Sequence, residues 1–240
     1  MIAALCRAVF VAAVVLMVSA CSSVNDNQEV NSADEEATVI SGGQLPPPVT
    51  EGEVSFEQAL YRRQSKRSFS DRQLSLEEVG QLLWAAQGLS VDGITGPTRT
   101  APSAGATHPL QIYLIAGNVE GLHSGFYRYD YLSHNLELLT EKDLRAELAR
   151  AALNQSFIKD APISVILAAD YERTTLVYGE RGISYVYMEV GHVTQNILLQ
   201  GEALGLGAVA VGAFSDEEVK ALLSLDEEPL MIIPLGEPLQ

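Results

Sequence analysis

The stretch GISYVYMEVGHVTQNILLQGEAL, residues 182–204, followed at once by GLGAVAVGAF, residues 205–214, decides how the chain folds. Its apolar residues Ile183, Val186, Tyr187, Val190, Val193, Ile197 and Leu204 recur at steps of three, four or seven, the period of a helix with one continuous buried stripe. Met188, Leu198 and Leu199 add apolar surface outside the stripe, so the helix is expected to be enclosed on most sides. A second stripe is polar: Tyr185, Glu189, His192 and Asn196 share one face and suit a hydrogen-bonded line in the core or at a subunit interface. At about 1.5 Å per residue the helix spans roughly 30 Å, the width of a small domain. It is a spine on which the remaining elements should pack.

Those elements follow from local patterns. Ser55–Arg63 reads as a short helix. Ser75-Leu76-Glu77-Glu78 is a capping box, in which the first side chain and the fourth satisfy each other's backbone N–H, and it opens a helix that ends at Gly88. Gly93–Pro97 is a loop, Leu110–Ala116 a strand, and Gly125–Tyr131 with Asn135–Leu139 a hairpin. Lys142–Leu153 is amphipathic and helical. Pro162–Asp170 is a continuous apolar run, the mark of a strand buried on both faces. After the spine come a strand over Ala208–Phe214, a capped helix from Ser215 to Leu223 and a buried strand over Pro229–Leu235. The class is α+β, or mixed α/β.

The ends of the chain differ from this core. Arg7, the apolar run Ala8–Val18 and Val18-Ser19-Ala20-Cys21 form a signal peptide over 1–21 whose close resembles a bacterial lipoprotein signal, with Cys21 as the lipidated residue. Residues 22–54 hold seven acids and no Lys or Arg and read as an acidic flexible tether, leaving 55–240 as the folded domain. This places the protein in the bacterial cell envelope, membrane-anchored and facing the periplasm or exterior. Only Cys6 precedes Cys21, so the domain has no cysteine for disulfides, thiolate chemistry or Cys-ligated zinc. A net charge of −16 argues against nucleic-acid binding.

Within that acidic chain, Arg62, Arg63, Lys66 and Arg67 place four cations in six residues. Arg63, Ser65 and Arg67 alternate, so in an extended segment they point one way and suit a phosphate with its polyol, against the alternative of a solvated helix end. Pro102-Ser103-Ala104-Gly105 is a small-residue turn that lets a flat group approach the backbone. Ser103 and His108 do not form the Gly-x-Ser-x-Gly elbow of a serine hydrolase, because Ala101 stands at the first glycine. Gly205–Ala210 matches a dinucleotide fingerprint in letters, but a helix leads into a strand here, the reverse of the required order. Glu189 and His192 have di-metal spacing without a second matching helix, so no metal site is assigned.

Seven motifs in order, 62–69, 82–88, 99–106, 125–130, 178–182, 189–196 and 205–214, resemble the nitroreductase family of flavin enzymes, and within it the SagB-type dehydrogenases. The resemblance covers about Ser55 to Pro238 and implies a nitroreductase-like fold, with a central sheet around the long helix. It implies FMN, with Arg63, Gln64, Ser65 and Arg67 at the phosphate. Pro102, Ser103, Ala104 and Gly105 would lie against the isoalloxazine, and the backbone donors of Gly212 and Ala213 would face N5. It implies a homodimer with flavin sites at the interface, and a two-electron oxidoreductase acting on a small-molecule or peptide substrate. Tyr178 stands where peptide azoline dehydrogenases carry the tyrosine of a Lys–Tyr proton-transfer pair, but Val177 replaces the lysine. Glu237 stands where many members have arginine after Pro-Leu-Gly. The alternatives are a thiazoline or oxazoline dehydrogenase and a non-enzymatic envelope protein that keeps the fold as a binding module.

Overall fold

A computed structural model describes residues 42–93 and 96–239 of the chain. The signal peptide, Cys21 and most of the tether lie outside the described residues. The seven-stranded sheet has the order β1-β6-β5-β4-β7-β9-β8, every neighbouring pair antiparallel. Its strands are β1 (Gly43–Gln44), β4 (Leu110–Ala116), β5 (Gly125–Asp130), β6 (Asn135–Thr140), β7 (Ile163–Ala169), β8 (Gly207–Ala208) and β9 (Glu228–Gly236). The helices are α1 (Phe56–Arg62), α2 (Leu76–Gln87), α3 (Arg145–Ala151), α4 (Ser156–Asp160), α5 (Glu172–Tyr178), α6 (Arg181–Ala203) and α7 (Asp216–Leu223). This is the expected α+β class.

Strand alternation explains the layers. Leu110, Ile112 and Leu114 of β4, with Ile163, Val165 and Leu167 of β7, meet α2 and α6 on one face. Tyr113, Ile115, Ile166 and Ile232 meet α3, α4 and α7 on the other. Strand β7 is buried along its whole length, as its unbroken apolar run requires. The capping box forms as read: Ser75 accepts from the Glu78 N–H, Glu78 accepts from the Ser75 N–H, and Gly88 closes α2.

Four readings need correction. The spine helix α6 is not enclosed: Val186, Val190, Val193 and Ile197 are buried, but Ile183, Tyr187 and Met188 are 42%, 56% and 50% exposed. Its apolar content exceeds what the protomer covers. Ordered chain begins before Ser55, because Gly43–Gln44 pairs with Leu136 and Asn135, Leu45 is buried, and Val49 exchanges two hydrogen bonds with Gln81. The loop at Gly93–Pro97 belongs to an antiparallel hairpin of β2 (Leu89–Gly93) and β3 (Gly96–Arg99). The strand expected over Ala208–Phe214 is regular only at Gly207–Ala208, with one further bridge from Val211 to Ile232.

Removing methylenes from a close-packed site costs stability through lost burial and the cavity left behind. Leu114→Ala, at a fully buried site in mid-β4, is expected to lose about 2–5 kcal/mol in urea unfolding. Leu176→Ala, at an 84% exposed site on α5, should change stability by less than about 0.5 kcal/mol in the same measurement.

Candidate functional site

The basic segment lies along the β8 edge of the sheet. Ser65 bridges Ala208, the Lys66 N–H donates to the Ala208 carbonyl at 3.0 Å, and further on Ser68 and Ser70 pair with Leu239 and Glu237. Gly207 permits this approach, since a Cβ there would stand 2.8 Å from the Lys66 Cβ. Arg63 is half-buried, while Gln64, Ser65 and Arg67 are exposed. Among the described residues neither Arg63 nor Arg67 forms a salt bridge. Glu237 does not neutralise them: its carboxylate accepts from the Ser70 hydroxyl at 2.7 Å and lies 3.3 Å from Arg72. Two guanidiniums are therefore left free to hold an anion.

Gly212 and Ala213 stand on the same edge. From Ala208, level with Ser65, to Gly212 is four residues, about 13 Å of extended chain. Both are exposed, and their N–H groups donate to no partner among the described residues. The Ala213 carbonyl accepts from Gln155 Nε2 at 2.8 Å, which fixes the orientation of its peptide. The edge thus joins a cationic segment to two uncommitted backbone donors.

The turn at 102–105 lies elsewhere. Ala104–Ala106 is one short 3-10 turn, in which Gly105 has φ +58°. The Ser103 hydroxyl accepts from the His108 N–H at 2.9 Å. A Cβ on Gly105 would lie 2.5 Å from the Tyr178 hydroxyl, so the tyrosine packs directly on the turn. Tyr178 also stacks edge-on against Tyr185, with centroids 5.1 Å apart. The structure therefore places the candidate proton carrier at the small-residue turn.

Behind the turn lies a largely buried polar chain whose only signal in the sequence is the polar stripe of α6. Arg99 donates to Gln87 Oε1 at 2.9 Å, and Gln87 Nε2 donates to Glu189 Oε1 at 2.9 Å. Burial pushes the Glu189 carboxyl up, and the nearby Ser103 hydroxyl opposes that rise. Asn196, two turns further along the stripe, donates to the carbonyls of Ala85 and Thr100. His192 is exposed and takes no part.

The basic edge and the 102–105 turn lie apart within the chain. The turn leads into Leu110, the first residue of β4, opposite Ala169. The other end of β4, Ala116, lies opposite Ile163, which faces Leu235, which faces Ala208, which bridges Ser65. That is six residues along the strands and four steps across the sheet, about 20 Å by 19 Å. Helix α6 runs between the two places. Its N-terminal half carries Glu189 and Tyr185 at the turn, and its C-terminal end docks at Leu206 and Leu235 beside the basic edge.

The nitroreductase family model matches residues 60–237, nearly all of the folded part. The chain belongs to the nitroreductase family. Two of its similar proteins are described as a "putative nitroreductase". One, MJ1384 of Methanocaldococcus jannaschii, is 44% identical over 188 residues, covering 78% of this chain and 93% of that one. The other, from Ralstonia eutropha, has a solved structure that superposes with a TM-score of 0.71 at 29% identity, covering 84% of this chain and 91% of that one. The NADPH-flavin oxidoreductase of Vibrio harveyi is 30% identical over 110 residues, 42% of this chain and 46% of that one. The chain is thus a nitroreductase-family oxidoreductase, and the family with such relatives implies a flavin cofactor. The cationic edge fits a flavin's anionic end.

His108 sits half-buried beside the turn. Burial, together with the charges of Arg99 and Arg173, lowers its pKa to about 4. The unfolded chain protonates this histidine near its ordinary value of about 6.5, so stability is present above that pH and falls as pH drops towards 4. His108→Gln should flatten this part of the acid loss in a pH series of urea midpoints. NMR titration of wild-type His108 should show the ring neutral at pH 5.5.

Proposed function

We propose that the protein is an FMN-dependent oxidoreductase of the SagB type, active as a homodimer and anchored in the bacterial cell envelope by a lipid on Cys21. The observation that carries the dimeric site is the exposed face of α6. Ile183, Tyr187, Gly191 and Gln195 are exposed at steps of four, and Leu199 and Ala203 continue the row. Gly191, close to the middle of the 23-residue helix, would meet nothing within 4 Å if given a Cβ. Along the C-terminal half of the row opens a groove of about 760 Å³, lined by Val54, Phe56, Trp84, Leu199 and Leu204.

A two-fold axis through Gly191 pairs two α6 helices antiparallel. The apolar N-terminal half of each then faces the groove of the other, an isologous contact. In such a pair the 102–105 turn of one protomer would come towards the basic edge of its partner, so that one flavin would meet both halves of the split site. Arg63, Ser65 and Arg67 bind the phosphate, and Gln64 lies beside them. Pro102, Ser103, Ala104 and Gly105 of the other copy pack against the isoalloxazine. Gly212 and Ala213 would offer their N–H groups to N5, where donors stabilise charge on the reduced ring. FMN supplies the two-electron chemistry. Tyr178, at the turn, is the residue placed to hold or pass a proton to a small-molecule or peptide substrate.

The missing lysine partner at Val177 favours this general reading over azoline oxidation. Val177 is 63% exposed and offers no group for proton transfer.

The purified protein should show the absorption bands of oxidised flavin. Arg63→Ala with Arg67→Ala should abolish them while leaving the fold intact by circular dichroism. Gly191→Trp fills open space in the protomer and should yield a folded, flavin-free monomer by light scattering; a yellow dimer from that variant would overturn the split-site reading.

For the anchor, Cys21→Ser should release the protein from the membrane fraction and end its labelling by radioactive palmitate.

A further inference from the structure

A second cavity lies at the start of β4 and owes nothing to the basic edge. It has a volume of about 190 Å³ and is bounded by Gln87, Arg99, Gln111, Tyr129, Tyr131 and Arg173. Its walls are mostly polar. The Arg99 guanidinium carbon lies 3.5 Å from the centroid of the Tyr131 ring, so the aromatic face holds the fork. One Arg99 nitrogen donates to Gln87; its other N–H groups, and those of Arg173, donate to nothing among the described residues.

Neither arginine forms a salt bridge among the described residues, although the chain carries 31 acids to 15 bases. Of the acids close by in sequence or charge, Glu189 spends one carboxylate oxygen on Gln87 and leaves the other without a partner among the described residues. Glu189 is buried, and Asp170 accepts the backbone N–H of Glu172. Two like charges turned to one small polar cavity repel each other, and an oxyanion between them relieves both.

We propose that this cavity binds the oxyanion group of a small ligand, a carboxylate or a phosphate, between Arg99 and Arg173. Arg99, fixed over Tyr131, supplies the forked contact. Arg173, exposed at the cavity mouth, closes on the ligand from solvent. Gln87 and Gln111 line the remaining walls, and Gln111 is held there by the Tyr129 carbonyl at 3.1 Å. A cavity of this size admits an acid group with a small substituent and excludes a nucleotide. The chain leaving the 102–105 turn reaches the cavity wall at Leu110, five residues on, so a ligand held here sits near that turn.

The test is calorimetric titration of the purified full chain with benzoate and, separately, with inorganic phosphate. At least one should bind at this site. Arg173→Gln, at an exposed position that the fold does not need, should weaken that binding about ten- to a hundredfold, the usual loss of a charged hydrogen bond. Arg99→Gln should do the same. Arg63→Ala with Arg67→Ala should leave it unchanged, which separates this site from the flavin edge. Binding of benzoate identifies a carboxylate ligand, and binding of phosphate alone a phosphoryl one. Failure of both anions to bind overturns the proposal. So does binding that is indifferent to Arg173→Gln, or that disappears only with Arg63 and Arg67. The flavin spectrum plays no part in this readout, so either reading can fail without the other.

Discussion

The contact on which the structure depends is that of α6 with the sheet. Val186, Val190, Val193 and Ile197 lie against Ile112, Leu114, Val165 and Ile233 in one core. The second core, on the opposite face, uses the alternate residues of the same strands, so both hold only if the register of β4, β7 and β9 is kept. A one-residue slip would send every inward side chain to the wrong layer. The helix does more than cover apolar surface. Its position fixes where the turn at one end and the basic edge at the other come to rest.

Much of this architecture was legible because the signals were long. A 23-residue amphipathic period, a nine-residue apolar run and two capped helix starts each specify an element almost independently of context. What escaped was short or depended on docking. Helix α5 carries Thr174, Thr175 and Val177, β-branched residues that lower helix propensity, and it is held by packing: Thr174 is buried against Gly182, and Tyr178 lies on Tyr185. Residues 42–49 have the Gly and Pro content of a linker, yet Leu45 is buried beneath them and the His134 ring bonds the Pro46 carbonyl. Composition registered the flexible residues and missed the single anchor.

The site was legible in its chemistry and not in its assembly. Four cations in an acidic chain, a run of small residues and a tyrosine beside a glycine are all visible as letters. Their distance apart is not. Two motifs about 35 residues apart in sequence read as neighbours until the strand register places them at opposite ends of β4. The apolar excess of α6 carried the missing information. Ile183 and Tyr187 looked like core by period and Met188 by its apolar side chain, and a helix too apolar for its own chain is a helix with a further surface to cover.

Charge distribution follows the same axis. The chain as a whole is strongly negative, so at long range it repels anions, but salt screens that field beyond about 8–10 Å. Selectivity for anions must then arise at close quarters, where uncompensated cations face a small volume with low-dielectric walls. Such places occur near both ends of α6. Among the described residues the basic edge leaves Arg63 and Arg67 unpaired while Arg72 beside it is tied to Glu78 and Glu237. The polar cavity leaves Arg173 unpaired among the described residues, while one oxygen of Glu189 behind it is held by Gln87. In both, the arginines lack a paired carboxylate among the described residues. Solubility alone would not require that arrangement, because solvated surface cations gain as much from nearby acids as from water. Guanidiniums left open in this way make sense where the counter-charge is to be brought by a ligand.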